Sequence, residues 1–131
     1  MVVDTSAISA IVLGEPEREA FSAAIKSADR RLMSAATAVE CVAVIAGRRP
    51  GADPMVAMNL IFESLALEVV PVDLPQLRAA ADALIRFGKG RHPARLNLGD
   101  SFAYALAKLT GEPLLCKGGD FARTDIRLAS A

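Results

Sequence analysis

Short apolar, often β-branched runs alternate with helical stretches along the whole chain, and this alternation constrains the fold more than any other feature. Met1-Val2-Val3 stops at Asp4, Leu32 and Met33 sit within a run over 31–34, and further runs cover 68–72, 113–116 and 125–128. Between them, apolar spacing and end signals predict helices. The first covers 6–13 with Thr5 or Ser6 as its cap, and the second covers 17–28 with Ala20, Phe21, Ala24 and Ile25 on one face. The third covers 35–46 and is closed by Gly47; the fourth covers 55–66 and turns Met58, Ile61, Phe62 and Leu65 inward. A fifth runs 73–87 with Leu74, Leu77, Ala81, Leu84 and Ile85 at helical spacing, and a sixth opens at Gly99 or Asp100 and ends near Leu109. Residues 48–54, 88–97 and 117–120, rich in glycine, proline and charge, read as loops. Strands separated by helices predict βαβ units. The expected fold class is therefore α/β: a mostly parallel central sheet of about five strands flanked by helices in three layers.

Composition narrows the class. A chain of 131 residues fits a single domain over 1–131. Hydrophobic residues make up 53% and charged residues 23%, which argues against intrinsic disorder. Lysine plus arginine (15) balances aspartate plus glutamate (15), so any polyanionic partner must be met by a local patch. A membrane span needs about 20 apolar residues; the most apolar stretch, 35–46, is shorter and carries Glu40. The start lacks a basic segment before its apolar run and has Asp4, so no secretory signal is read and a cytoplasmic location is expected. Two cysteines and one histidine leave no disulfide framework, no Cys/His zinc cluster and no pair of histidines for acid–base work. With no tryptophan and one tyrosine, a stacking platform for single-stranded bases has little to build on.

In parallel α/β sheets, ligands bind outside the carboxyl ends of the strands. Asp4 ends the first strand, Asp120 follows the fourth, Asp100 opens the helix leading into the fourth, and Glu40 lies in the first two turns of the helix after the second. Four carboxylates thus converge on one rim. Two such charges about 4 Å apart repel by on the order of 4 kcal/mol at an effective dielectric of 20, so the group must protonate or bind a cation. Oxygen donors without thiolate or imidazole favour magnesium or manganese, the ions that activate water in phosphoryl chemistry. Bland roles are open for each acid: Asp100 as a helix cap, Asp4 as a turn former, Asp120 bonding its own glycine loop, Glu40 as a paired structural glutamate.

Residues 83–99 contain no acid but carry Arg86, Lys89, Arg91 and Arg95 along with His92. Such a loop beside a metal site suits contact with a phosphate backbone, although an ordinary solvated loop has the same composition. His92 reads as a substrate contact or a surface histidine rather than a base. Lys117, after the fourth strand, suits phosphate or solvent equally. Thr5 and Ser6 are candidates to support a carboxylate while capping the first helix, Thr124 to brace the Asp120 loop, and Asp125 to support the site or to begin the last strand. The apolar surface of residues 36–46 and 55–65 suggests a dimer or peptide interface, or else a well-filled core.

These segments resemble the PIN-domain ribonucleases, specifically the VapC toxins of bacterial VapBC toxin–antitoxin pairs. The resemblance rests on Val3-Asp4-Thr5-Ser6-Ala7, on Glu40, on the stretch Leu96-Asn97-Leu98-Gly99-Asp100-Ser101-Phe102-Ala103-Tyr104, and on Leu114-Leu115-Cys116-Lys117-Gly118-Gly119-Asp120-Phe121. It implies a PIN-like fold and a Mg2+- or Mn2+-dependent endoribonuclease in which Asp4, Glu40, Asp100 and Asp120 form the catalytic and metal site. Asp4 and Asp100 would be the direct ligands. Glu40 would hold a second ion or a metal-bound water, and Asp120 would complete the shell. Lys89, Arg91, His92, Arg95 and Lys117 are the substrate-binding candidates. The resemblance further implies RNA, often tRNA, as substrate, a homodimer, and a cognate VapB-like antitoxin. The rival readings are a PIN-type nuclease of RNA processing or structured DNA without a toxin role, a non-catalytic binding module, and a phospho-acceptor receiver domain. The receiver lacks its expected acid pair after the first strand.

Overall fold

The computed structural model describes residues 1–48, 51 and 53–131. The elements are β1 (Val2–Val3), α1 (Thr5–Leu13), α2 (Arg18–Ser27), β2 (Leu32–Ser34), α3 (Ala35–Arg48), α4 (Pro54–Leu65), β3 (Glu68–Val70), α5 (Leu74–Phe87), α6 (Leu98–Thr110), β4 (Leu114–Leu115) and a 3-10 turn at Phe121–Arg123. The loop expected over 48–54 lies partly outside the described residues.

Among the described residues the strands form one parallel sheet in the order β3-β2-β1-β4. The register pairs Val2 with both Leu32 and Leu114. Side chains alternate across a strand, and the core divides accordingly. Val2, Leu32 and Leu114 pack with Ala83 and Phe87 of α5 and Ala103, Tyr104 and Leu106 of α6. Val3, Met33 and Leu115 face the other way, onto Ala7 and Ile8 of α1, Phe21 and Ile25 of α2, Cys41 of α3 and Phe62 and Leu65 of α4. The sheet is therefore covered on both sides, as the strand–helix alternation predicts. Each fully buried aliphatic side chain contributes about 1.5–3 kcal/mol.

Three expectations change. The run 125–128 is not a full strand: it makes a single parallel bridge, Leu114 to Leu128. The Leu114 N–H donates to Arg127 O at 2.9 Å and the Ala129 N–H to Leu114 O at 2.8 Å. The second correction concerns α5. Its leucine stripe faces outward, with Leu74, Leu77 and Ile85 more than half exposed, while Gln76, Ala80, Ala83 and Phe87 are buried. Small residues on α5 meet Ala103 and Ala107 of α6, which lets the two backbones approach closely. Third, α3 continues through Gly47 to Arg48 rather than closing there.

Asp125 neither joins the acidic rim nor begins a strand. It accepts from Tyr104 Oη at 2.7 Å and pairs with Lys108 at 3.0 Å and Arg86 at 3.2 Å, fastening the C-terminal segment to α5 and α6. The Tyr104 hydroxyl, opposed by some burial and helped by Lys108 and Arg86, holds its carboxyl down at about 2. A depressed acid stabilises the fold above its unfolded pKa and loses that effect as pH falls through the folded value. Asp125→Asn should therefore lower stability by about 1 kcal/mol at neutral pH, after discounting for a part-exposed carboxylate. In denaturant melts the difference from wild type should shrink between about pH 4 and pH 2.

Candidate functional site

The site forms where β1, an interior strand, delivers Asp4 to the carboxyl edge. β1 lies between β2 and β4, so Asp4 is only 4% exposed, and its N–H donates to Leu115 O at 3.0 Å. Asp4 is itself the cap of α1, in place of the expected Thr5 or Ser6: its Oδ2 accepts from the Ser6 N–H at 2.9 Å and the Ser6 hydroxyl at 2.6 Å. That hydroxyl in turn accepts the Lys117 N–H at 2.9 Å, which ties the loop bearing Asp120 to Asp4. Burial raises the Asp4 carboxyl above its ordinary range, against the pull of the Ser6 and Thr5 hydrogen bonds.

Glu40 lies two turns into α3, half-buried, and its Oε2 accepts from Thr5 Oγ1 at 2.8 Å. Thr5 therefore supports a second acid while Ser6 supports the first. Asp100 is the third residue of α6, whose cap is Asn97. The Asn97 side chain accepts from the Asp100 N–H at 3.0 Å, and Asp100 Oδ2 accepts from the Asn97 N–H at 2.7 Å. The pattern Asn97-x-x-Asp100 is a capping box, a signal legible in the sequence that the reading of Gly99 or Asp100 as helix start overlooked. Burial, followed by the charges of Asp4, Glu40 and Asp120, pushes the Asp100 carboxyl up to about 6. Asp120 is exposed beside Gly118 and Gly119, and the chain behind it is pinned by Thr124 Oγ1 donating to Phe121 O at 2.7 Å.

All four acids thus share one electrostatic neighbourhood, and among the described residues no lysine, arginine or histidine pairs with any of them. One oxygen each of Glu40 and Asp100 is held by an internal donor, leaving the other without a hydrogen bond among the described residues. This donor set fits a hard divalent cation. Among the described residues, however, no three of these groups are drawn together into a finished ligand shell. Two buried hydroxyls, Ser34 Oγ and Thr37 Oγ1, lie on the segment leading from β2 to Glu40 and have no hydrogen-bond partner among the described residues. Neither was singled out in the sequence, where serine and threonine carry no signal of burial.

The thiols take no part in ionic chemistry. Cys41 and Cys116 are both pushed up to about 12, chiefly by burial and further by the neighbouring acids. Lys117, an expected phosphate contact, has its ammonium on Glu15 at 2.7 Å and Glu17 at 2.8 Å. Lys89, Arg91, His92 and Arg95 line a depression of about 440 Å3 with Gly90 and Pro93. The loop is well built: Leu96 N–H donates to Phe87 O at 3.0 Å, His92 Nδ1 accepts the Ala94 N–H at 3.1 Å, and Arg123 donates to Pro93 O at 3.2 Å. The His92 ring stands edge-on to Phe87. Among the described residues, Lys89, Arg91 and Arg95 have no ion-pair partner. A second, apolar depression of about 490 Å3 borders Glu40 and is lined by Ala36, Val39, Ala43, Leu98, Gly99 and Phe102.

An acid whose pKa is raised on folding destabilises the native state as pH rises from the unfolded value to the folded one. In EDTA, Asp100→Asn should match wild type near pH 4 and gain on it between about pH 4 and pH 6, with the difference level above that. Solvent screening at this half-exposed carboxyl reduces the gain at pH 7 to about 1 kcal/mol. Thermal melts of the two proteins across pH read this directly.

Residues 1–127 match the PIN domain family. The chain is 46% identical over 131 residues to ribonuclease VapC42 of Mycobacterium tuberculosis, covering 98% of each chain. It is 45% identical over 128 residues to ribonuclease VapC30 of the same species, covering 96% of this chain and 95% of that one. A ribonuclease VapC of Mycolicibacterium smegmatis is 44% identical, with 96% and 97% covered. In fold, the chain is similar to a crystal structure of Mycobacterium tuberculosis VapC20, described as a toxin that cleaves the sarcin-ricin loop. That match has a TM-score of 0.77 over 99% of this chain and 98% of the other at 20% identity. With its acids on the strand edge and this likeness along nearly its full length, the chain belongs to the VapC ribonucleases of the PIN-domain family.

Proposed function

We propose that residues 1–131 form a single nuclease domain, a Mg2+- or Mn2+-dependent endoribonuclease that serves as the toxin of a type II toxin–antitoxin pair. The observation that carries this reading is the gathering of Asp4, Glu40, Asp100 and Asp120, from four separate stretches of chain, at one sheet edge without a paired cation among the described residues. Asp4 and Asp100 are the direct ligands, Glu40 extends the site under the hold of Thr5, and Asp120 completes it from the exposed loop. A bound divalent ion supplies charge neutralisation and Lewis acidity to the phosphodiester and lowers the pKa of water. Ser6 orients Asp4, and the Asn97–Asp100 box fixes the first turn of α6, so both ligands are held before substrate arrives. Neither thiol ionises near neutrality, which removes cysteine as a nucleophile and suits attack by water.

RNA is the substrate, with tRNA as one form, and its flanking phosphates lie along Lys89, Arg91 and Arg95, with His92 beside them. Lys117 contributes by holding Glu15 and Glu17 near Ser6 rather than by reaching substrate. A VapB-like antitoxin and a second copy of the chain are the protein partners. Exposed Val39, Leu60 and Leu98, each more than 60% accessible, support such contacts. No described helix is long and apolar enough to cross a membrane, and the place of action is the cytoplasm.

Two measurements test this. Asp4→Asn should lower Mg2+-dependent RNA cleavage by at least about 100-fold, the scale on which a lost metal ligand acts, and EDTA should abolish wild-type cleavage. Wild-type turnover by Asp4→Asn would overturn the reading. Replacing Lys89, Arg91 and Arg95 together with alanine should raise KM, spare kcat, and reduce the slope of log affinity against log salt by about 2.

A further inference from the structure

Gly99 sits in the first turn of α6 with an ordinary helical backbone, where alanine is the better helix former. No turn or positive φ requires a glycine there. What a side chain would meet is specific. A methyl group built on Gly99 falls inside contact distance of Glu40 Oε2 and lies 2.8 Å from both Oε1 and Cδ; these three atoms of one carboxylate are its nearest neighbours. No other glycine in the structure meets a side chain in this way. The carboxylate is held in that place from the other side by Thr5 Oγ1 at 2.8 Å.

We infer that Gly99 is a positioning residue: its bare Cα is the seat that brings the Glu40 carboxylate of α3 against the first turn of α6, next to Asp100. The inference rests on the metal-site reading above. Thr5 presses from α1, Gly99 leaves room on α6, and two acids from different helices come within reach of one cation. A side chain at 99 does not threaten the fold, because the obstructing group is the far end of a flexible glutamate that can swing toward the neighbouring apolar depression. It removes the acid from its place instead.

Size complementarity supplies the test. Mn2+ binding, read by electron paramagnetic resonance or calorimetry without substrate, is compared in wild type, Gly99→Ala, Glu40→Asp and the double variant, with thermal melts of each. Gly99→Ala should weaken Mn2+ binding about tenfold, the usual effect of disturbing the support of a ligand. The shorter carboxylate of Glu40→Asp leaves room for the methyl, so the double variant should bind more tightly than Gly99→Ala alone. Wild-type affinity in Gly99→Ala, or a double variant no better than Gly99→Ala alone, overturns the inference. If Gly99→Ala does not fold, a folded double variant supports the contact and an unfolded one overturns it. Asp4→Asn separates the two claims: if wild type binds no Mn2+, or Asp4→Asn binds it as wild type does, the metal-site reading fails, and this inference with it.

Discussion

Repulsion among carboxylates at the strand edge is the constraint around which this chain is arranged. Three of the four acids are held in place by neutral donors rather than by cations: Ser6 for Asp4, Thr5 for Glu40, Asn97 for Asp100. Neutral donors fix geometry without cancelling charge, so the negative potential survives folding. Asp100 registers this most clearly, with a carboxyl lifted to about 6 by burial and by its three acidic neighbours. Without a cation the protein carries that tension as lost stability, and a cation bound as proposed above would relieve it.

The fold supplies the geometry through very little sheet. β1 and β4 are two residues each, yet β1 is enclosed by neighbours on both sides. That enclosure is what buries Asp4, since a strand at the edge would leave its terminal residue wet. The three remaining acids arrive on a helix or loop that starts near the same edge, so each is placed by the end of an element rather than by its middle. Short strands suffice because helices on both faces bury every sheet side chain that matters.

Charge away from the rim is organised in two ways. Several cations are tied down: Lys117 on Glu15 and Glu17, Arg86 and Lys108 on Asp125. The loop between α5 and α6 groups three cations that have no ion pair among the described residues, Lys89, Arg91 and Arg95, on a segment braced by Phe87, Ala94 and Leu96. Arg95 even holds φ at +54, a region most side chains avoid, between the buried Ala94 and Leu96. On the reading proposed above, the braced loop with its unpaired positive charge and the acidic rim would divide two tasks of a nuclease, gripping phosphates and binding an ion.

The amino-acid sequence by itself determined the layered α/β class, the positions of the helices to within a residue or two, and which four acids to look for at the strand edge. These follow from local rules: periodicity, capping, and the requirement that ligands meet a parallel sheet at its carboxyl edge. Tertiary structure alone decided the rest. The face of α5 that turns inward is the alanine face and not the leucine stripe, because periodicity identifies a stripe without saying which neighbour it meets, and close helix packing favoured the smaller residues. The ion pairs of Lys117 bring together residues about one hundred positions apart, and the node at Asp125 joins three separate segments. The same holds for the contact between Gly99 and Glu40: a glycine in a helix reads as a weak point until the chain folds and a carboxylate from another helix occupies the space its missing side chain leaves. Local sequence encodes what each segment can become. Distances between segments exist only once the core has closed around them.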